Sequence, residues 1–199
     1  MAKRILDIVC GSIALVLLAL PMALIALAIR LGSRGGAIFR QTRVGKNGKT
    51  FTMLKFRTMR ADVDPYGRSP RSADDNRLTR LGRWLRETSL DELPQLINVL
   101  GGQMSLVGPR PLYERQARQW DDRQRRRLDV RPGITGYAQA YGRASLPLED
   151  KIEMDIFYVD NRSLWLDARI LLKTMLNMFT GQADVYEHRY SREKENESD

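Results

Sequence analysis

Between Ile8 and Ile29 the chain carries no charged residue, a run of 22 positions. At ~1.5 Å per residue a helix over this run covers roughly 33 Å, against ~30 Å for the hydrocarbon core of a bilayer. Twelve of the positions are Leu, Ile or Val. At ~0.3–0.6 kcal/mol each, they favour insertion by roughly 4–7 kcal/mol, with no charge opposing. The run therefore predicts a membrane segment. A cleaved signal peptide fits less well, because no small-x-small site precedes a polar mature start and Arg30 follows directly.

Two features leave the path of this segment open. Lys3 and Arg4 precede it, and Arg30, Arg34, Arg40 and Arg43 follow it, so both flanks favour the inner side of the membrane. Pro21 lies within the run and removes a backbone donor, which predicts a kink or break. The pieces, Ile8–Leu20 and Met22–Ile29, would be ~20 and ~12 Å long, and neither crosses alone. A broken helix that enters and leaves on one face satisfies both features. A single kinked span with a basic domain on the inside is the alternative, since membrane helices tolerate Pro.

The remainder of the 199 residues suffices for one modest domain. With 33 basic against 24 acidic side chains and a net charge of +9, the chain favours a polyanionic partner: nucleic acid, an anionic membrane face or a phosphorylated substrate. It holds one Cys (Cys10) and one His (His188), so an internal disulfide and a Cys/His zinc site are excluded. Covalent or acid–base chemistry is left to carboxylates set among arginines, a combination that suits phosphate chemistry.

Ala37–Arg43 and Thr50–Met59 read as strands joined at Asn47-Gly48, a strong hairpin signal. Residues 61–77, rich in Asp, Arg, Pro and Ser, read as a mobile loop. Leu78, Leu81, Trp84 and Leu85 form an apolar stripe at helical spacing. A second helix is predicted from Leu90 or Asp91 to Leu100, stopped by Gly101-Gly102. Tyr113–Val130 reads as one polar helix, and Arg131–Gly136 as a turn-forming loop. Glu149–Val159 and Ser163–Phe179 read as amphipathic helices, and the polar stretch beyond Gly181 as a flexible tail. The expected organisation is a membrane segment over 1–36, a domain over 37–181 and a tail over 182–199. The fold class is α+β and mostly helical, with short helices around a small β-hairpin.

Two apparent motifs dissolve on inspection. Gly48-Lys49-Thr50 imitates the end of a P-loop, but the earlier Gly is replaced by Arg43 and a strand follows instead of a helix. Asp62-Val63-Asp64 resembles the Asp-x-Asp of metal-dependent glycosyltransferases, a triplet common by chance in polar loops.

Asp91-Glu92, within Ser89-Leu90-Asp91-Glu92-Leu93-Pro94-Gln95-Leu96, carries two readings. One is capping: Ser89 as N-cap with Glu92 at N3, or Asp91 as N-cap, which places Pro94 where its missing N–H costs nothing. The other is chemical, an Asp kept ionised by the helix dipole beside a cationic pocket and able to attack phosphorus. Arg110 stands in Gly108-Pro109-Arg110-Pro111, a rigid turn that would fix a guanidinium for diphosphate recognition. Arg80, Arg83 and Arg86 could form a solvated face or meet lipid head groups. The Arg-rich stretch Arg115–Arg131 lacks the aromatic platforms of single-strand binders and reads as a solvated or lipid-facing surface.

Taken together, several ordered motifs resemble the bacterial sugar transferases, the small monotopic polyprenyl-phosphate phosphoglycosyl transferases. They are Lys3-Arg4-x-x-Asp7, Phe39-x-Gln41-x-Arg43-x-Gly45, Lys55-Phe56-Arg57-Thr58-Met59, Ser89–Gln95, Met104–Pro111, Arg131–Gly136, and Tyr158 with Asp167. The likeness covers nearly the whole chain. It implies a re-entrant helix–break–helix under a small cytoplasmic domain, monotopic on the cytoplasmic face of the bacterial inner membrane. Leu20 stands where the family often has Ser before the breaking proline.

The implied reaction moves a sugar 1-phosphate from a UDP-sugar to polyprenyl (undecaprenyl) phosphate, releasing UMP, as the first membrane step of a glycan assembly pathway. By the same resemblance Asp91 is the nucleophile of a phosphosugar intermediate and a contact for Mg²⁺, and Glu92 is its partner. Lys55, Arg57, Arg86, Arg110 and Arg143 are the candidate phosphate and nucleotide contacts. Membrane lipids are implied partners, and a homodimer is compatible. Two rivals stand beside this reading: a membrane-tethered basic nucleic-acid-binding protein, and a non-catalytic scaffold of the same fold, against which intact Asp91, Glu92 and Arg110 argue.

Overall fold

The computed structural model describes residues 1–64, 70, 75–142 and 146–179. Helix α1 runs unbroken over Ala2–Gly32. The break expected at Pro21 into two separate helices is not realised: the helical backbone continues through the proline. Pro21 withholds one N–H from the carbonyl four residues back, that of Leu17. Both residues lie on the helix's exposed side, where no packing depends on the missing bond.

One face of α1 turns towards the domain and docks on it near both ends. Asp7, Gly11 and Ile29 are buried, with Ala14, Leu18, Met22, Ile25 and Ala26 half-buried between them, a helical spacing of three and four. The opposite face leaves Val16 76%, Leu17 72% and Leu20 69% exposed, which no water-facing helix would favour. Both ends are fastened to the same domain. At the first end Lys3 Nζ donates to Asp167 at 2.6 Å, and Asp7 accepts from Ser105 Oγ and the Leu106 N–H at 2.9 and 3.0 Å. Arg4 there donates to the carbonyls of Val99 and Leu100 at 2.6 and 2.9 Å. At the other end Ile29 packs with Ala37, Phe56 and Leu85.

Strands β1 (Ile38–Val44) and β2 (Thr50–Phe56) pair antiparallel, with Val44 opposite Thr50, as the Asn47-Gly48 signal predicts. Asn47 takes φ 57° in the intervening 3₁₀ turn, a conformation Asn tolerates better than most residues. Helix α2 (Arg80–Glu87) is capped by Thr79, whose hydroxyl accepts from the Gly82 N–H at 2.8 Å. Leu85 of the predicted stripe is fully buried, whereas Trp84 is 49% exposed and stays out of the core.

The helix predicted to start at Leu90 or Asp91 divides. Leu90–Glu92 form a 3₁₀ turn, and α3 (Gln95–Leu100) begins only after Pro94. Gly101 and Gly102 end it as expected, Gly102 at φ +79°. Buried Asn98 stitches α3 to β2: its carbonyl accepts from the Leu54 N–H at 3.0 Å and its amide donates to Thr52 O at 2.8 Å.

Strand β3 (Ser105–Val107) leads to α4 (Glu114–Ala117) and α5 (Asp122–Arg125), followed by a 3₁₀ turn over Arg126–Asp129. The single polar helix expected over Tyr113–Val130 is thus three short pieces. Asp121 restarts the chain as an N-cap with Gln124 completing a capping box, and Trp120 is buried just before it. The arginines here are paired: Arg118 with Glu114, Arg123 with Glu153, Arg126 with Asp160 and Arg127 with Asp155. That pairing neutralises much of the surface read as basic.

The expected loop at Arg131–Gly136 contains a strand, β4 (Gly133–Thr135), which pairs parallel to β3. A Cβ on Gly133 would lie 2.1 Å from the Gly108 nitrogen, so the two backbones meet only because both residues are glycine. Helices α6 (Tyr137–Tyr141), α7 (Leu148–Asn161) and α8 (Leu164–Phe179) complete the domain, the last two as predicted. Buried Tyr158 of α7 donates to Asp167 of α8 at 2.7 Å, on the carboxylate that also holds Lys3. Most of the expected loop over 61–77 and the predicted tail lie outside the described residues.

Candidate active site

Asp91 and Glu92 stand between Leu90 and Leu93, which pack into the cluster of Ile29, Phe56 and Leu85. This apolar pair fixes the short 3₁₀ turn and leaves the carboxylates to line a cavity of about 480 Å³. Neither capping reading holds. Ser89 makes no side-chain cap bond and adopts the left-handed region (φ 56°, ψ 14°), and α3 starts four residues beyond Asp91. Ser89 reverses the chain between α2 and the turn, at a conformational cost for a non-glycine residue.

The two carboxylates differ. Glu92 Oε1 accepts from Lys55 Nζ at 2.7 Å and from Arg110 Nη2 at 3.1 Å. Burial alone would raise its pKa, but Lys55 and Arg110 overcome that and hold it down to about 2. The Asp91 side chain makes no hydrogen bond or ion pair among the described residues, although only 7% of the residue is exposed. Its pKa is raised, first by burial and then by the neighbouring Glu92 charge, against the opposing pull of Lys55, Arg86 and Arg110. The dipole-stabilised Asp expected from the sequence is therefore reversed: burial outweighs any favourable field.

The cations arrive from three separate places in the chain. Lys55 comes from the end of β2. Arg86 of α2 follows Gly82 by one helical turn and shares its face. A Cβ at Gly82 would lie 1.9 Å from the Thr58 carbonyl, so α2 rests directly on Thr58. Arg86 Nε accordingly donates to Thr58 Oγ1 at 2.9 Å.

Arg110 is carried on a loop clamped from both sides. Its own carbonyl accepts from Arg127 Nη2 at 2.9 Å, and the Pro111 carbonyl accepts from Arg43 Nη1 at 3.3 Å. Arg43 also donates to Gln41 Oε1 and lies 3.6 Å from the Tyr113 ring centroid, while Gln41 donates to the Tyr113 hydroxyl at 3.1 Å. The clamp is completed by Asp155, whose burial raises its carboxyl to about 6 against the pull of its ion-pair partner Arg127.

Of the seven site residues predicted, the structure brings Asp91, Glu92, Lys55, Arg57, Arg86 and Arg110 to one cavity. Arg143 lies outside the described residues. The Arg57 guanidinium also donates to Ser33 O and Oγ at 3.0 and 2.7 Å and to Arg34 O at 2.6 Å, which fastens the exit of α1 to the site. Asp62, of the discarded Asp-x-Asp, pairs with Arg60 in an exposed position away from the cavity. Gln41, Arg43, Thr58 and Tyr113 also line the cavity and had no assigned role. Their sequence signal was the alternation Phe39-x-Gln41-x-Arg43, which puts three side chains on one face of β1.

The chain is similar to known proteins over most of its length. A family profile described as bacterial sugar transferase matches residues 1–181. The sugar transferase EpsL of Bacillus subtilis is 41% identical over 180 residues, covering 90% of this chain and 88% of that protein. A UDP-glucose:undecaprenyl-phosphate glucose-1-phosphate transferase of Caulobacter vibrioides is 43% identical over 190 residues, covering 89% and 70%. A UDP-N-acetylgalactosamine-undecaprenyl-phosphate N-acetylgalactosaminephosphotransferase of Aeromonas hydrophila is 40% identical over 185 residues, covering 90% of this chain and 44% of its own length. Several further relatives are matched over only 40–42% of their length.

Proposed function

We infer that this chain, which belongs to the bacterial sugar transferase family, transfers a sugar 1-phosphate from a UDP-sugar to undecaprenyl phosphate, releasing UMP. It is an enzyme of the undecaprenyl-phosphate sugar-1-phosphate transferase type. The nucleic-acid reading finds no support in these relatives. The observation that carries the mechanism is the inequality of the two carboxylates: Glu92 is engaged by two cations, and Asp91 lines the cavity with no partner of its own among the described residues.

In the first step an Asp91 carboxylate oxygen attacks the sugar-bearing phosphorus of the donor. The bond from that phosphorus to the bridging oxygen breaks, and UMP leaves with the oxygen. In the second step a phosphate oxygen of the acceptor attacks the same phosphorus and the Asp91 carboxylate departs, leaving a polyprenyl-diphosphate sugar. Neither step requires a proton to balance, which suits a site with no histidine among its described residues. Glu92, held at about 2 and bonded to Lys55 and Arg110, is a poor proton acceptor. Its role is to hold those two cations against the donor phosphates.

Among the described residues no three acidic, His or Cys side chains gather to hold a metal alone. The donor set still fits Mg²⁺, which takes one or two carboxylates and completes its shell with substrate phosphates and water. Asp91 would hold it, and the ion would supply charge neutralisation of the diphosphate. The fastening of both ends of α1 to one domain supports a monotopic placement, and the basic residues on both flanks support the cytoplasmic face. A span would put Arg4 and Arg57 on opposite sides of ~30 Å of hydrocarbon, with the domain between them.

The test is intact-mass analysis with a panel of UDP-sugars and Mg²⁺, without acceptor. Wild-type should gain the mass of one sugar phosphate with release of UMP, the panel should identify the sugar, and Asp91→Asn should do neither. Full turnover by Asp91→Asn would sink the assignment.

A further inference from the structure

The cavity that holds Asp91 extends past the charged residues to an apolar wall. Ala14 and Leu18 of α1 form one side; Leu171, Met175 and Met178 of α8 form the other. The two helices are tied at one end by the Lys3–Asp167 ion pair at 2.6 Å. Eleven and fifteen residues further along α1, and four to eleven along α8, both line the same space. Neither wall is part of a sealed core: Leu17 beside it is 72% exposed, Met175 52% and Met178 43%.

We propose that the cleft between α1 and α8 is the acceptor's entry from the membrane, with its phosphate-proximal isoprene units lying on Ala14, Leu18, Leu171 and Met175. This inference rests on the transferase reading above and gives its second substrate a place. Three observations select the occupant. The cleft is continuous with Asp91, Lys55 and Arg110, so a ligand filling it must carry an anion at one end. Apart from Thr174 and Asn177, the residues that α1 and α8 give to its walls are aliphatic and thioether, which suit a flexible hydrocarbon. Its outer rim belongs to the exposed apolar faces of α1 and α8, so the hydrocarbon can pass in sideways from lipid without crossing water. A UDP-sugar, polar along its whole length, gains nothing from that wall.

The test uses the full chain in lipid nanodiscs, with Leu18→Trp and, from the opposite wall, Met175→Trp. An undecaprenyl phosphate analogue with a diazirine in its first isoprene units should label peptides holding Ala14–Leu18 and Leu171–Met178. Labelling only elsewhere, or equal displacement by a plain phospholipid, overturns the cleft. Each Trp variant should lower discharge of the phosphosugar adduct to undecaprenyl phosphate at least tenfold relative to its rate of adduct formation. Discharge to inorganic phosphate, which has no hydrocarbon to place in the cleft, should keep the wild-type ratio, and equal loss with both acceptors overturns the proposal. Failure of wild-type to form any adduct would instead overturn the covalent mechanism, and the labelling pattern would still decide the cleft.

Discussion

Two acidic sites flank Arg110, and they are built on opposite principles. On the inner side Asp155 and Arg127 are 3% and 2% exposed at their side chains and close on each other, with Arg127 reaching on to the Arg110 carbonyl. On the cavity side Glu92 binds the Arg110 guanidinium, but the adjacent Asp91 has no hydrogen-bond or ion-pair partner among the described residues. The inner pair acts as a brace. The outer one holds back a buried, unpartnered carboxylate that the fold must tolerate. A brace of this kind contributes shape, since a buried ion pair gains little net energy over apolar packing. An unpartnered carboxylate costs stability and contributes reactivity, the pattern expected where chemistry is done.

The sharpest way to break the comparison is to neutralise each site in turn. Asp91→Asn should remove adduct formation by at least ~1,000-fold, as loss of a nucleophile does, while raising the melting temperature at pH 7. The sign follows from the raised pKa of Asp91. Its stability contribution is fully present below the unfolded value and lost as pH rises through the folded one, so ionised Asp91 is a cost at neutral pH. The gain from Asn should therefore fade as pH falls towards the ordinary aspartate range, a trend that thermal melts at several pH values would read. Arg127→Ala should do the reverse at the inner site. It leaves Asp155 buried and unpaired, at ~3–5 kcal/mol of stability measured by denaturant unfolding. Arg127→Met with Asp155→Leu should recover most of that loss while still loosening Arg110. If the double variant is as unstable as the single one, the pair is more than a brace.

This contrast also marks what the sequence could tell. The hairpin, the two long C-terminal helices and the apolar α1 were legible because each follows from local rules: a turn dipeptide, a 3.6-residue period, an uncharged run. Asp91, Glu92, Lys55, Arg86 and Arg110 were legible as residue types near glycine, proline and apolar anchors. What was not legible depended on partners remote in sequence. Asp121 divides a stretch that reads as one polar helix, and Gly133 turns an apparent loop into a strand because Gly108, 25 residues earlier, admits it. Arg57 was legible as a cation near the site, but not its bonds to the carbonyls of Ser33 and Arg34, just past the end of α1. The direction of the Asp91 pKa shift was misjudged for the same reason, because burial is a property of the assembled cavity.

Smaller changes sharpen the picture of the outer site. Lys55→Met removes the principal cation opposing the rise in the Asp91 pKa. The acid limb of adduct formation, which belongs to Asp91 because Glu92 lies down at about 2, should then move to higher pH. The maximal rate should fall on the order of 100-fold, as when one preorganised donor is lost. A rate loss with an unmoved limb would assign Lys55 to substrate contact alone.

The least expected effect is at Ser89, held at φ 56° in the turn that presents the carboxylates. Ser89→Gly relieves ~1–2 kcal/mol of left-handed strain but gives back part of it as chain entropy in the unfolded state, for a net gain of roughly 0.5–1 kcal/mol. Denaturant melts would read that gain. The rate of adduct formation then tests what the strain is for. If the backbone geometry alone presents Asp91, the variant keeps its rate and gains stability. A falling rate with rising stability would show that Ser89, which lines the cavity, restrains the turn in the conformation from which Asp91 attacks.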